Sequence, residues 1–196
     1  MPKIVDHDER RREFAAAALR VAIEQGADSL TLRSVAKKAA CSTGALAHYF
    51  ATKDDLLVAV QREASEASLA RIRDCFERFE GRALVESVVL TVLPLDEDRR
   101  GEWRLWLAYF ARAAEEVALA RVQRDYYRHW RSDLRLAYQL ACGSDAQMTR
   151  SEIDRGTDAA MALIQGLGVL GMFEPAGISA SRQRQLVREH FDRWLP

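Results

Sequence analysis

Thr31–Lys53 reads TLRSVAKKAACSTGALAHYFATK, and two short helices joined by a turn account for it. Thr31 is an N-cap residue, and Leu32, Val35, Ala36 and Ala39 follow at i, i+3, i+4 and i+7, one apolar stripe on about two turns of helix. That helix stops at Ala40. Ser42 then caps a second helix, Thr43 to Phe50, with Leu46 and Phe50 inward and Thr43, Ala45, Ala47 and His48 outward. Isolated helices below about 12–15 residues are marginal in water, so a helix this short depends on its neighbours and serves to hold something at the surface.

What it holds out is small. A helix bearing Thr43, Gly44, Ala45 and Ala47 can sink into a DNA major groove without a bulky side chain propping it away. Thr43 can hydrogen-bond a base edge, Ala45 or Ala47 can touch a thymine methyl, and His48, Tyr49 and Lys53 are spaced to meet phosphates, which set register but carry no sequence information. The same pattern also suits a short amphipathic corner of a larger α-helical protein.

The order STGALAHYFATK from Ser42 to Lys53, preceded by TLRSVAKKAA and followed by Leu56 and Leu57, resembles the DNA-binding domain of the TetR family of transcriptional regulators. The resemblance spans roughly residues 8–68 and implies a helix-turn-helix at 31–50 whose DNA-facing set is Thr31, Arg33, Ser42, Thr43, Gly44, Ala45, His48, Tyr49 and Lys53. Two positions depart from the family pattern. Ala40 stands where a glycine is usual, at a cost of about 1 kcal/mol if its φ is positive. Ala47 stands where Tyr is frequent, which removes a phosphate contact common among relatives.

The chain has 196 residues, enough for a small head and a larger body. Its formal net charge is zero, yet residues 1–53 hold nine Lys and Arg against six acids, and the remainder holds 20 against 23. A basic head on an acidic body suits a phosphate-facing end. Three cysteines, Cys41, Cys75 and Cys142, fit neither a disulfide framework nor a zinc site and point to a reducing cytosol. The start, MPKIVDHDERRR, has no apolar core of an export signal, and no run approaches 18 consecutive apolar residues, so the expectation is a cytoplasmic protein without a membrane span.

Periodicity along the chain predicts an all-α protein of about nine helices, with the head at 8–68 and an effector-binding and dimerisation domain at 69–196. Helix 1 runs from about Asp8 to Gln25 with Phe14, Ala18, Val21 and Ala22 inward and Gly26 just past its end. Arg10, Arg11 and Arg12 at its start either reach DNA or form a solvated face. A long helix follows from Lys53 to about Glu80, then Ala83–Leu93, a helix opened by Asp96–Asp98, Val117–Cys142 ended by Gly143 and Ser144, Ser151–Phe173, and a last helix capped by Ser179 or Ser181.

Gly166, Gly168 and Gly171 match G-x-G-x-x-G, but no strand precedes them, so a dinucleotide site is rejected. Glycines inside an apolar helix indicate close approach of another helix. That partner is either the same helix of a second subunit, which makes Ala160, Ile164, Leu167, Gly168 and Gly171 a dimer seam, or a neighbour within one subunit. His7, His48, His129 and His190 have no metal-ligand spacing, no G-x-S-x-G occurs, and no metal, cofactor or enzymatic activity is expected. Trp103, Trp106, Tyr109, Phe110, Tyr127 and Trp130 fall in two neighbouring helices with Tyr126; core packing explains most of them, and such a cluster is also how a pocket for an organic or cationic effector is built.

A second resemblance narrows the family. The opening MPK, STGxxxHYF, WLAYF at Trp106–Phe110, LIxGL at Leu163–Leu167 and the HF…LP ending are similar to the choline-responsive betaine-synthesis repressor group, although Gln165 stands where relatives often have Asp. It implies a homodimeric repressor on palindromic double-stranded operator DNA, released by a small organic effector, with a choline-like cation as the first candidate.

Overall fold

A computed structural model describes residues 7–142 and 148–194. Gly143 and Ser144, expected to end a helix, lie outside them, as does the chain's opening. The described residues form nine α-helices and one 3₁₀ turn and no strand: α1 His7–Gln25, α2 Leu32–Lys38, α3 Thr43–Ala47, α4 Lys53–Arg78, α5 Gly81–Thr91, α6 Glu97–Glu115, α7 Val117–Cys142, α8 Arg150–Phe173 and α9 Ala180–Trp194. The all-helical expectation holds, and most bounds fall within about three residues of those read from periodicity. Among the widest differences is α3, which spans five residues and ends at Ala47, three short of the expected Phe50.

The chain folds as two compact units. The first comprises the described part of Met1–Glu66 together with Arg104–Gln123, and the second comprises Ala67–Trp103 with the described part of Arg124–Pro196. In the first, α1 packs on α2 and α2 on α3. Phe14, Ala18 and Ala22 from α1 meet Leu30, Val35, Leu46, Phe50, Leu56 and Val60 in one buried cluster. Leu105 and Tyr109 from α6 and Leu119 from α7 complete that cluster. Three helices with stripes this short leave an open side, and the late helices close it. Tyr109 is fully buried, and its hydroxyl donates to the Leu119 carbonyl at 2.8 Å. Burial pushes its pKa up to about 12, so it stays a neutral donor. Tyr109, a ligand-wall candidate from its place in the sequence, is therefore head core.

In the second unit α5 and α8 both pack against α9. Gly168 determines one approach: a Cβ there would lie 1.9 Å from the Trp103 ring, so only glycine fits. The Trp103 indole N–H donates to the Val92 carbonyl at 2.8 Å, which fixes the ring over the helix. A Cβ on Gly171 would meet the Gln183 side chain at 2.5 Å, and the Gly171 carbonyl accepts from Arg100 Nη1 at 2.8 Å. Ala160, Ile164 and Leu167 are buried on the same face. The residues read as a possible dimer seam are thus turned into their own subunit, and the alternative of packing within one subunit describes them.

The other face of α8 is also apolar. Ala162, Gly166, Val169, Leu170 and Phe173 are exposed on it, Phe173 at 75 %. With both faces apolar, α8 is long and apolar enough to cross a membrane by length and composition, and 44 % of its most apolar window is buried inside the subunit. No uninterrupted apolar run produces this; Leu, Ile, Val, Met and Ala spread over two faces do.

Candidate nucleic-acid interface

Local capping builds the helix-turn-helix. The Thr31 hydroxyl accepts from the Ser34 amide at 3.1 Å while Ser34 Oγ accepts from the Thr31 amide at 3.0 Å, a reciprocal capping box. At the other end of α2 the Cys41 amide bonds the Ala36 carbonyl at 3.0 Å and the Ala40 amide bonds Lys37 at 3.4 Å. These are the two bonds of a Schellman motif, whose C′ residue must be left-handed. Ala40 fills that position with φ 51°, so the departure from glycine noted in the sequence falls on a residue that needs positive φ. Two residues on, Ser42 Oγ accepts from the Ala45 amide at 3.1 Å and starts α3.

After α3 the chain is tied down twice. Thr52 and Asp55 exchange side-chain to backbone bonds at 2.9 and 3.0 Å and start α4. Arg11 Nη1 donates to the Tyr49 carbonyl at 2.8 Å, and its guanidinium lies 5.0 Å from the centre of the Phe50 ring. Neither device was read from the sequence. T-K-D-D at 52–55 carries the first in plain form, whereas the second joins residues 38 apart and has no local signature. Arg10 pairs with Glu13 at 2.6 Å and lies 4.8 Å from the centre of the Phe14 ring. Both arginines thus brace the head.

Thr31, Arg33, Ser42, Thr43, Gly44, His48 and Lys53 are exposed, as is Ala47; Ala45 is half-buried and Leu46 and Phe50 are fully buried. Tyr49 is half-buried, with its ring edge-on to Phe14 at 5.2 Å and 5.5 Å from the His7 ring. The exposed residues of α3 are therefore small, and Arg33 of α2 and Lys53 of α4 are exposed as well. Lys38 is spent on Glu24, both of whose carboxylate oxygens lie 2.7 Å away.

The six effector candidates divide between the units. Trp106, Tyr109 and Phe110 belong to the first, where the Trp106 and Phe110 rings are 5.8 Å apart. Trp103, Tyr127 and Trp130 belong to the second. There the Tyr126 and Tyr127 rings lie 6.0 and 6.4 Å from Trp130, each at 24° to it. Tyr127 also accepts a bond from Gln165 Nε2 at 3.1 Å, and Tyr126 donates to Ser68 Oγ at 3.2 Å. Burial raises the Tyr126 pKa well above the usual phenol range, so that hydroxyl stays protonated. The Trp130 indole N–H is buried with no acceptor.

Comparison with known proteins agrees with this architecture. Residues 15–60 match the model of bacterial regulatory proteins of the tetR family, and residues 81–196 match the C-terminal domain of BetI-type transcriptional repressors. The chain is 29 % identical to the HTH-type transcriptional regulator PksA of Bacillus subtilis over 98 % of its length and 93 % of that protein's. It is 27 % identical to the regulator BetI of Burkholderia ambifaria over 100 % of its length and 98 % of that protein's. A transcriptional regulator from Saccharomonospora viridis, solved in complex with choline, shares the fold at a TM-score of 0.81 and 20 % identity, covering 94 % of this chain and 96 % of that one. With its capped helix-turn-helix and a repressor-type C-terminal domain matched over more than half its length, the chain belongs to the TetR family of DNA-binding transcriptional regulators and is not an enzyme.

Proposed function

We propose that this regulator is a cytoplasmic homodimeric repressor that places two copies of α3 in successive major grooves of a palindromic operator, about 34–36 Å apart. The observation that carries this is the exposed, small-residue surface of α3, capped at Ser42 and fastened behind by Arg11. Thr43 reads a base edge; Arg33, His48 and Lys53 meet phosphates. Tyr49 contributes mainly its backbone and ring to the support of α3. A gel shift with the intergenic DNA next to the chain's own gene tests the reading. Salt-sensitive retardation that Thr43→Val makes less sequence-selective is the expected result, and no retardation at low salt overturns it.

The subunit contact is assigned to the outer face of α8, where Val169, Leu170 and Phe173 are exposed and Gly166 has open space around it. The effector is assigned to Tyr126, Tyr127 and Trp130. Their ring faces suit a cation, and the Trp130 N–H suits an acceptor such as the hydroxyl of choline. Trp103 is committed to Val92 and Gly168 and is left out of the effector assignment. Because Gln165 supplies no charge where an aspartate would, Gln165→Asp should tighten choline binding in calorimetry. Absence of binding heat with choline in the unaltered protein removes choline as effector while leaving the DNA reading intact.

A further inference from the structure

The second unit holds a cleft of about 400 Å³ between α4, α5, the start of α6 and α9. None of the aromatic residues proposed for the effector lines it. Four arginines do: Arg71, Arg78, Arg99 and Arg184. Three carboxylates stand with them, so the balance is positive. Glu102 takes the forked end of Arg71 at 3.0 and 2.6 Å, Asp96 takes Arg99 Nε at 2.8 Å, and Asp74 lines the wall.

Those pairings leave donors over. Arg71 Nε is buried with no acceptor, because both terminal nitrogens are spent on Glu102. Arg184 Nη1, arriving from α9, is buried and has no acceptor either. Two arginines from different helices that line one cleft thus each keep a buried guanidinium N–H without a partner, and an unmet charged donor is costly enough that native structures rarely keep one. The rest of the wall is apolar or weakly polar: Phe79, Leu90 and Leu95, with the hydroxyls of Ser87 and Thr91. Arg78 lies with its guanidinium 5.6 Å from the centre of the Phe79 ring.

We infer that this cleft binds a small organic monocarboxylate, its carboxylate on Arg71 and Arg184 and its hydrocarbon part against Phe79, Leu90 and Leu95. A carboxylate is planar and can accept from two guanidinium groups at once. The volume is at the lower end of ligand pockets and suits a benzoate-sized or six-carbon acid. A phosphate dianion fits less well, because Asp74 would oppose its second charge and the apolar wall would stay wet. The regulator thereby has an anion site of opposite chemistry to its aromatic cluster, and the two assignments stand or fall separately.

Calorimetry and thermal shift on the full chain, with sodium benzoate, hexanoate, acetate and inorganic phosphate as probes, decide it without DNA or choline. Benzoate or hexanoate should bind, with affinity falling as salt rises, and Arg184→Met should weaken binding about tenfold or more. Phe79 is exposed, so Phe79→Ala leaves the core alone; it should weaken hexanoate but not acetate, and it keeps the test open if Arg184→Met misfolds. The inference is overturned if no carboxylate binds up to about 10 mM, if phosphate binds more tightly than hexanoate, or if a folded Arg184→Met binds as the unaltered protein does.

Discussion

Ala40 is the residue on which the turn of the helix-turn-helix depends. Its φ of 51° is a conformation in which a Cβ crowds the following carbonyl. Ala40→Gly should raise stability by about 1 kcal/mol, measured as a higher urea midpoint, and a fall in midpoint would place the strain elsewhere. Glu63 gives a pH signature of the opposite kind. Burial and its neighbour Glu66 raise its pKa above the usual value, against Arg12 and Arg20, which lower it. A folded carboxyl that holds its proton longer contributes stability in full below the unfolded glutamate pKa and loses it as pH rises through the folded one. Glu63→Gln, which keeps the neutral form, should therefore stabilise at about pH 8 and make no difference near pH 4, checked by denaturant titration at both. Lys53 is exposed at the start of α4. Lys53→Ala should weaken every operator about equally and reduce the slope of log K against log salt by about one; an unchanged slope would free Lys53 of its phosphate.

Among the elements, α3 is the weakest by itself and the most dependent on others. Five residues cannot fix a helix, so its order comes from Ser42 at the front, Leu46 and Phe50 beneath, and Arg11 behind. Ser42→Ala should cost about 1 kcal/mol of stability and lower operator affinity, whereas Ser42→Gly should cost only a few tenths. Its lower cap was readable in order of residues; its foundation was not, since Leu105, Tyr109 and Leu119 enter the head cluster from helices that follow the domain boundary expected at residue 68. Arg112 also reaches Asp54 at 2.8 Å, but both side chains are about half exposed, and such pairs contribute little. Buried apolar contact, not that ion pair, binds α6 to the head.

At the scale of the whole molecule, α8 sets what is inside and what is left for a partner. Its inner glycines admit Trp103 and Gln183, and Gly168→Ala should cost about 3 kcal/mol, the upper end for overpacking, because a ring and not a flexible chain end stands in the way. Its outer residues touch nothing comparable. Leu170→Glu with Phe173→Glu should leave the subunit folded but monomeric in sedimentation, with operator binding lost because one α3 contacts only a half-site; a dimer that survives both changes would move the interface off α8. The order of residues determined that the described residues are helical, where most of the helices begin, and that a small-faced helix follows Ser42, because caps, breakers and 3.6-residue periodicity act over a few positions. Only the tertiary structure decided which of two apolar faces of α8 is buried, that Tyr109 is core, that Arg11 supports α3, and that Arg71 and Arg184 share a cleft. Those outcomes turn on contacts between residues tens of positions apart, and no local pattern encodes which distant side chain arrives first.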